Sequence, residues 1–326
     1  MQFIDTLIIL KNTQDQTNFI PYLSEWKCQQ LIRHYKKSLS RLTDKDKAVL
    51  ISVFLHDLTA VWLSRVQCVA FPCKSFVSCF FKKLYDKGKG VFDMEWTGLF
   101  DSFQSHQDLD KAKPMAQYMR NQFEFIGIRT PERRQLSKPY LTQAKKELKD
   151  LSKDKGLLSV SVDWEFVERC WQASEREFQL LATDYLTEVK AYLKPTDLSQ
   201  FESILIRKSW WDSVDSLVKT IGYLVQQYPA LTNVMLEWSV SENIWLRRVA
   251  ILHQLGLKQA TRTDMLHEII ENNFGESEFF INKAIGWALR DYARTNPEWV
   301  KAFVSQYQPQ LSGLSRREAM KHLTND

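Results

Sequence analysis

The sequence predicts an all-α protein. Apolar residues recur at the three- and four-residue spacing of amphipathic helices, and runs that alternate apolar and polar residues, as strands do, are scarce. Glycine and proline, which interrupt helices, number only 10 and 9 among 326 residues. With 44% hydrophobic and 25% charged residues, the composition is that of a soluble globular protein. The net charge of +5 permits a nucleic-acid partner without demanding one.

The chain divides near residue 94. Residues 1–93 contain four of the five cysteines and a poorly patterned apolar run, whereas capped helices follow one another over 94–326. Codons for Lys-Gly-Val at 89–91 can spell a ribosome-binding site upstream of Met94, so we expect translation to start there. The alternative is a genuine helical extension. Charged residues interrupt the early apolar run, which argues against a membrane span, and the odd cysteine count predicts free thiols in a reducing cytoplasm.

Helix-start signals divide residues 94–326 into about a dozen helices. Thr130 precedes a proline, Asp163 precedes an apolar run, and Ser174 with Glu177 has the spacing of a capping box. Further helices are predicted to begin near Pro195, Ser209, Ser241, Thr263, Ser277, Pro297 and Ser315. Paired helices of this length, joined by short turns, stack into an α-solenoid of the HEAT type.

The stretch Lys208–Asp215 predicts a helix start with one tryptophan in the core and the next one on another face. Ser209 is a candidate N-cap, and Asp212 three residues later fits a helix-dipole role. Helical spacing assigns the buried stripe to Trp210, Val214, Leu217, Val218 and Ile221. Trp211 and Asp215 lie one turn apart on a different stripe. An aromatic plate beside a carboxylate, away from the apolar face, indicates a binding site; the alternative is an ordinary core tryptophan.

Two later helices carry cations in informative positions. In Ser241–Leu255, Arg248 falls within the apolar stripe, where it either pairs with a carboxylate or reaches a phosphate. In Phe279–Ala293, the core stripe is Ile281, Ile285, Leu289 and Tyr292, and another face carries Lys283, Gly286, Trp287 and Arg290. Basic residues around an aromatic ring fit a nucleic-acid backbone, which the glycine would allow to approach closely; a solvated basic face is the alternative.

Arginines cluster after the first helix of this region. Tyr118 is followed by Arg129, Arg133 and Arg134 near a predicted helix start, where phosphates commonly bind, although surface arginines are also ordinary. A weaker patch comprises Arg316, Arg317 and Lys321. The six histidines show no metal-binding spacing, and no glycine-rich phosphate loop or GxSxG nucleophile motif occurs. We therefore predict neither a metal nor a cofactor.

Together and in this order, five stretches resemble the AlkD family of alkylpurine DNA glycosylases. They are PMAQYMRNQFEFIGIRTPERRQL, KSWWDSVDSL, SENIWLRRVAILHQL, SEFFINKAIGWALRDYARTNPEWV and LSRREAMKHL. The resemblance covers about residues 94–326. It implies a right-handed α-solenoid of HEAT-like helix pairs that holds duplex DNA in a concave basic groove. The implied reaction is hydrolysis of the N-glycosidic bond of N3- and N7-alkylated purines, without base flipping, in cytoplasmic base-excision repair.

The resemblance also implies roles for individual residues. Asp215 would be the catalytic carboxylate, Trp211 and Trp287 would flank the deoxyribose, and the backbone would be held by Tyr118, Arg248 and Arg290. To this DNA-binding set we add the cations Lys283, Arg133 and Arg134. The expected state is a monomer acting on duplex DNA that carries alkylated purines, with no membrane partner. The alternative is a non-catalytic helical-repeat scaffold that binds DNA or protein.

Overall fold

The computed structural model describes residues 96–323, and this part of the chain is all-α, as predicted. Its only β feature is an isolated parallel bridge between Glu124 and Glu175. The helices are α1 (Thr97–Ser105), α2 (Leu109–Tyr118), α3 (Thr130–Lys155), α4 (Trp164–Gln172), α5 (Arg176–Glu188), α6 (Leu198–Leu205), α7 (Trp211–Gln227), α8 (Thr232–Ser239), α9 (Ile244–Leu252), α10 (Thr263–Glu271), α11 (Phe279–Ala293), α12 (Pro297–Gln306) and α13 (Gly313–Met320).

Several sequence predictions fall outside the described residues. They concern the boundary and start at Met94, the early apolar run, and Cys28, Cys68, Cys73 and Cys79. The fifth cysteine, Cys170, is a buried free thiol in α4. Within 96–323, none of the helices combines the length and apolarity that crossing a bilayer requires.

Alternate helices form a continuous row. Each of α3, α5, α7, α9 and α11 packs against the next member, ending at α13, while α4, α6, α8, α10 and α12 each pack against a helix of the row. Side-chain bonds repeat at a fixed separation of 33 residues: Trp164 to Asp197, Thr187 to Thr220, Asp215 to Arg248 and Asn282 to Ser315. Equivalent contacts at one period are typical of stacked helix pairs. The architecture is consistent with the predicted α-solenoid.

The apolar stripes read from the sequence form the core. Val214, Leu217, Val218 and Ile221 of α7 are buried, as are Ile281, Ile285, Leu289 and Tyr292 of α11. Trp210 is only half-buried, although it packs on the same cluster. The stripes were predictable because helical spacing is a local property of the sequence.

The predicted helix starts are correct in some places. Asp163 accepts a hydrogen bond from the Phe166 N–H and caps α4, and α10 begins at Thr263. Pro195 opens a short 3-10 turn that leads into α6, and Pro297 is the first residue of α12. A capping side chain or the fixed φ of a proline acts within the first helical turn. Residues close in sequence therefore determine these helix starts.

Several predicted N-caps are wrong, although the helices begin near the predicted residues. The helix that carries Asp215 begins at Trp211, because the Ser209 hydroxyl donates to the Leu205 carbonyl at the end of α6 instead of capping α7. Ser174 and Glu177 form no capping box, since the Glu177 carboxylate binds backbone N–H groups elsewhere. The N-cap position of α3 is Arg129, whose side chain makes no capping hydrogen bond, and not the predicted Thr130. The helices predicted to begin near Ser241, Ser277 and Ser315 begin at Ile244, Phe279 and Gly313, and their N-cap residues are Asn243, Glu278 and Ser312.

Candidate active site

The centre of the site is a forked ion pair between Asp215 of α7 and Arg248 of α9. Arg248 Nε donates to Asp215 Oδ1 at 2.7 Å, and Nη2 donates to Oδ2 at 2.8 Å. The third nitrogen, Nη1, donates to the Phe280 carbonyl at 2.6 Å, which ties α9 to the start of α11. Two parallel bonds from a planar guanidinium fix both the position and the plane of the carboxylate. The fork therefore orients Asp215 before any ligand arrives.

The fork is mostly buried but open on the carboxylate side. The Asp215 side chain is 17% exposed, whereas that of Arg248 is 4% exposed. Burial raises the pKa of the Asp215 carboxyl above its ordinary value, and the hydrogen bonds and charge of Arg248 oppose that rise. Because arginine stays protonated, it favours the ionised carboxylate. Each carboxylate oxygen also retains a lone pair that the fork does not use.

The position of Arg248 resolves the ambiguity left by the sequence. Of the two interpretations, pairing with a carboxylate is the one observed. All three guanidinium nitrogens are engaged, and little of the side chain meets solvent. A direct contact from Arg248 to a DNA backbone stays a prediction, and the observed bonds assign this residue to the orientation of Asp215.

Trp211 and Tyr118 form an aromatic edge, and Trp211 lies on the same helix as Asp215. Trp211 precedes Asp215 by one helical turn and is half-buried. Tyr118, the last residue of α2, is 72% exposed and meets the Trp211 ring edge to face, with 6.0 Å between the centroids and 84° between the planes. Trp211 packs on a small apolar cluster of Ala112, Met119 and Phe125. The structure therefore brings two predicted site residues together on separate elements.

Trp287 of α11 stands between two cations that share one counter-ion. It is half-buried, with Lys283 one turn before it and Arg290 one turn after it. The Lys283 ammonium donates to Glu318 Oε1 at 2.6 Å, and the Arg290 guanidinium donates to Glu318 Oε2. The hydrogen bond from Lys283, which has the largest effect, and the charges of both cations hold the pKa of the Glu318 carboxyl below its usual range. Among residues 96–323, no hydrogen bond or ring contact joins Trp287 to Asp215 or Trp211.

Glu318 was missed in the sequence, and Gly286 was misinterpreted. A Cβ built on Gly286 would lie 2.4 Å from the Glu318 Cβ and 3.0 Å from the Ser315 carbonyl oxygen. The missing side chain therefore lets α13 approach α11, and the prediction that Gly286 accommodates a nucleic-acid backbone is wrong. The sequence pattern pointed to the cations Arg316 and Arg317 of this helix. The adjacent Glu318 carboxylate is the residue that binds Lys283 and Arg290 on either side of Trp287.

The two arginines at the start of α3 differ in availability. Arg133 donates through Nε to Asp184 of α5 at 3.1 Å, and its side chain is 5% exposed. Arg134 lies 3.5 Å from the same carboxylate but keeps 67% of its side chain exposed. Arg133 therefore joins two helices of the row, whereas Arg134 retains the exposure that contact with a phosphate needs. DNA contact by either residue stays a prediction.

Asp212 has a different partner from the one its position suggested. Instead of serving only the helix dipole, it accepts hydrogen bonds from Arg176 of α5 at 3.0 and 2.5 Å. The Arg176 side chain is completely buried. No local pattern could have identified this pair, because its members are 36 residues apart.

The fold and this site define an all-α protein in which a mostly buried carboxylate–guanidinium fork joins two neighbouring helices, α7 and α9, of a continuous row. The model of the DNA alkylation repair enzyme family matches residues 99–323. The chain therefore belongs to the DNA alkylation repair enzyme family.

One solved structure agrees with this assignment. A predicted DNA alkylation repair enzyme from Enterococcus faecalis is 34% identical, with a TM-score of 0.59 over 68% of this chain and 98% of that chain. A more distant likeness, to AlkD2 from Streptococcus mutans, has 18% identity and a TM-score of 0.39 over 57% of this chain and 98% of that one. A comparison with curated proteins found no match.

Proposed function

We propose that this protein is a DNA glycosylase that hydrolyses the N-glycosidic bond of N3- and N7-alkylated purines in duplex DNA. The observation that carries the proposal is the Asp215 carboxylate, which two hydrogen bonds from Arg248 orient one turn from Trp211. Membership of the DNA alkylation repair enzyme family supports a DNA substrate with alkylated bases. A monomer acting in the cytoplasm, with a right-handed HEAT-like stack and a concave basic groove, fits this function.

The chemistry follows from the charge of the lesion. An N3- or N7-alkylated purine is cationic, so it leaves as a neutral base and needs no general acid. As the bond from C1′ to nitrogen stretches, positive charge develops on the deoxyribose, as in the oxocarbenium-like states of glycoside hydrolysis. A pre-oriented carboxylate and the faces of Trp211 and Trp287 stabilise that cation. Asp215 also orients or deprotonates the water that adds to C1′.

The product of this reaction is a free alkylated base and an intact abasic site. No lysine enters the reaction as a nucleophile, so no covalent enzyme–DNA intermediate is expected. Recognition rests on the positive charge and weakened bond of the lesion, and the base stays largely in the duplex. Bulky cationic adducts are therefore tolerated, whereas neutral lesions such as uracil are not substrates.

Exposed cations and Tyr118 supply the contacts to DNA in this proposal. Arg134 is largely exposed, and Lys283 and Arg290 retain partial exposure beside Trp287. Tyr118 is well exposed at the end of α2. Such cations neutralise phosphates and release counter-ions, which gives salt-dependent binding to the backbone.

The second candidate is a helical-repeat scaffold that binds DNA or a protein without catalysis. Stacked helix pairs serve widely as interaction surfaces, and a fold alone does not fix a function. The Asp215–Arg248 fork favours the enzyme. A scaffold gains no stability from keeping a desolvated carboxylate at a partly open position, since apolar replacements of buried ion pairs are often at least as stable.

Base release from damaged DNA distinguishes the two candidates. Purified protein is incubated with methylated duplex DNA and with a uracil-containing duplex, and released bases are measured by chromatography. The glycosylase releases 7-methylguanine and 3-methyladenine and leaves uracil in place. Binding of methylated duplex with no release of either base would favour the scaffold, and efficient uracil release would contradict the charge-based mechanism.

A further inference from the structure

Two adjacent and oppositely charged residues at the start of α5 are completely buried. Arg176 and Glu177 are each 0% exposed, and their hydrogen bonds go to different elements. Removing a charge from water is costly unless hydrogen bonds and opposite charges compensate for it. The partners that compensate each charge therefore show which elements it holds together.

Arg176 binds the first turn of the helix that carries Trp211 and Asp215. Its Nε and Nη2 donate to the two Asp212 oxygens, and Nη2 also donates to Ser213 Oγ at 2.7 Å. Nη1 donates to the Lys208 carbonyl at 2.8 Å, just before the helix. The guanidinium therefore holds both sides of the turn on which Trp211 stands. No residue of α7 supplies a side-chain cap of its own at this end.

Glu177 binds the segment that follows Tyr118. Its carboxylate accepts hydrogen bonds from three consecutive backbone N–H groups, those of Ile126, Gly127 and Ile128, at 3.0, 2.9 and 3.1 Å. A carboxylate that receives three backbone donors fixes the course of that backbone tightly. The positive φ of Gly127, +105°, and its close approach to the Asp108 carbonyl leave this segment little freedom.

The two sets of contacts are also joined to each other. The Arg176 guanidinium lies 3.9 Å from the centre of the Phe123 ring, and the Arg176 N–H donates to the Glu124 carbonyl at 2.9 Å. Arg176 therefore contacts both the segment after Tyr118 and the start of α7. These two elements meet at the exposed Tyr118 and the half-buried Trp211, whose rings lie edge to face.

We infer that Arg176 and Glu177 are positioning residues, which hold the Tyr118 segment and the Trp211–Asp215 turn in a fixed relation across the site. The inference rests on the proposed function for its consequence in catalysis. Neither residue touches DNA, because both are buried. Their contribution is the preorganisation of an aromatic edge and a carboxylate, which must be in place before charge develops on the sugar.

The kinetic test uses conservative variants of the two residues. Arg176→Lys replaces a guanidinium that makes four hydrogen bonds with a single ammonium. Glu177→Gln replaces one acceptor oxygen with an NH2 group, which then faces a backbone N–H instead of accepting from it. Asp197→Asn is the matched control: Asp197 is a carboxylate bonded to the Trp164 indole and the Lys194 N–H, and it contacts none of the site residues. Ser213→Ala removes one acceptor of Arg176 without leaving an unpaired buried charge.

Single-turnover excision of 7-methylguanine and the Kd for unmodified duplex are measured below the melting temperature of every variant. Arg176→Lys and Glu177→Gln are expected to lower the excision rate constant at least tenfold, and Ser213→Ala about threefold. Asp197→Asn stays within twofold of wild type. Excision that falls no further in Arg176→Lys, Glu177→Gln and Ser213→Ala than in the control would overturn the inference.

A second measurement is independent of activity. The chain is labelled with 5-fluorotryptophan, and the Trp211 resonance is identified by its loss in Trp211→Phe. Because the Tyr118 ring lies 6.0 Å from Trp211, a change in their relation moves or broadens that resonance. Arg176→Lys and Glu177→Gln should change it, and Asp197→Asn should not. An unchanged Trp211 resonance in both variants refutes the positioning role, whereas absence of excision by the wild type refutes only the proposed function.

Discussion

Arg248→Gln tests whether the fork keeps Asp215 ionised. The substitution removes both hydrogen bonds to the carboxylate and the bond to the Phe280 carbonyl, and it leaves a largely buried carboxylate without a cation. Removing one partner of a buried ion pair costs about 3–5 kcal/mol. The lower end of this range applies because the Asp215 side chain retains 17% exposure. For a domain of this size, about 3 kcal/mol lowers the melting temperature by roughly 6–12 °C.

The direction of the pH effect follows from the contacts of Asp215. Burial already raises the pKa of Asp215, and Arg248 opposes that rise, so the variant's pKa is higher still. A carboxyl group whose pKa is raised by folding favours the native state most when it is protonated. Its contribution to stability is lost as the pH rises from the unfolded pKa through the folded one. The loss of stability in Arg248→Gln is therefore larger at pH 8 than at pH 4.

The same shift changes the pH dependence of excision. If ionised Asp215 stabilises the developing cation, the acid limb of the single-turnover rate moves to higher pH in Arg248→Gln. Each unit of displacement corresponds to about 1.4 kcal/mol. The assay is the rate of 7-methylguanine release from pH 4.5 to 8.5, beside thermal unfolding at pH 4 and pH 8. An acid limb that stays in place or moves to lower pH would refute the role assigned to the fork.

Two further perturbations test the contact between α11 and α13. Gly286→Ala places a Cβ 2.4 Å from that of Glu318 and should cost about 1–3 kcal/mol of stability, whereas in Gly313→Ala the nearest atom is the movable end of Arg317, 3.3 Å away. Equal melting temperatures for these two variants would contradict the close approach. Glu318→Gln removes the shared counter-ion of Lys283 and Arg290, so the affinity for unmodified duplex should rise. The slope of log affinity against log salt concentration should become steeper by the contribution of about one phosphate contact. The control is Glu298→Gln, which frees only the exposed Lys301, and a salt slope that is the same in both glutamate variants would refute the shared role.

The sequence allowed the helical class and the buried stripes to be predicted, because helical spacing needs no knowledge of distant residues. The stripe around Val214 and the one around Ile285 are both buried as expected. Starts of helices were less predictable, since a serine such as Ser209 can bond to the preceding helix as readily as it caps the next. The predicted contrast between a core Trp210 and an off-core Trp211 is wrong, because both rings are half-buried and pack against the same core cluster.

The contacts that organise the site were hidden because their partners are distant in sequence. Glu177 binds backbone groups about 50 residues earlier, and Arg176 binds Asp212 36 residues later. Arg248 on an apolar stripe was compatible with two partners, and only the packing of α7 beside α9 selects the carboxylate. In the sequence, nothing distinguishes Glu318 from an ordinary surface glutamate, because its contact with Gly286 depends on the packing of α13 against α11.

The most direct test of the account is excision by Asp215→Asn under single-turnover conditions, with duplex affinity measured in parallel. Asparagine keeps the shape of the side chain and can still accept a hydrogen bond from Arg248, but it carries no charge to stabilise a cationic sugar. Loss of such a preorganised group costs about 3 kcal/mol of the barrier, so the rate of 7-methylguanine release should fall on the order of a hundredfold or more while binding is retained. Release at the wild-type rate would remove Asp215 from the mechanism and with it the central claim.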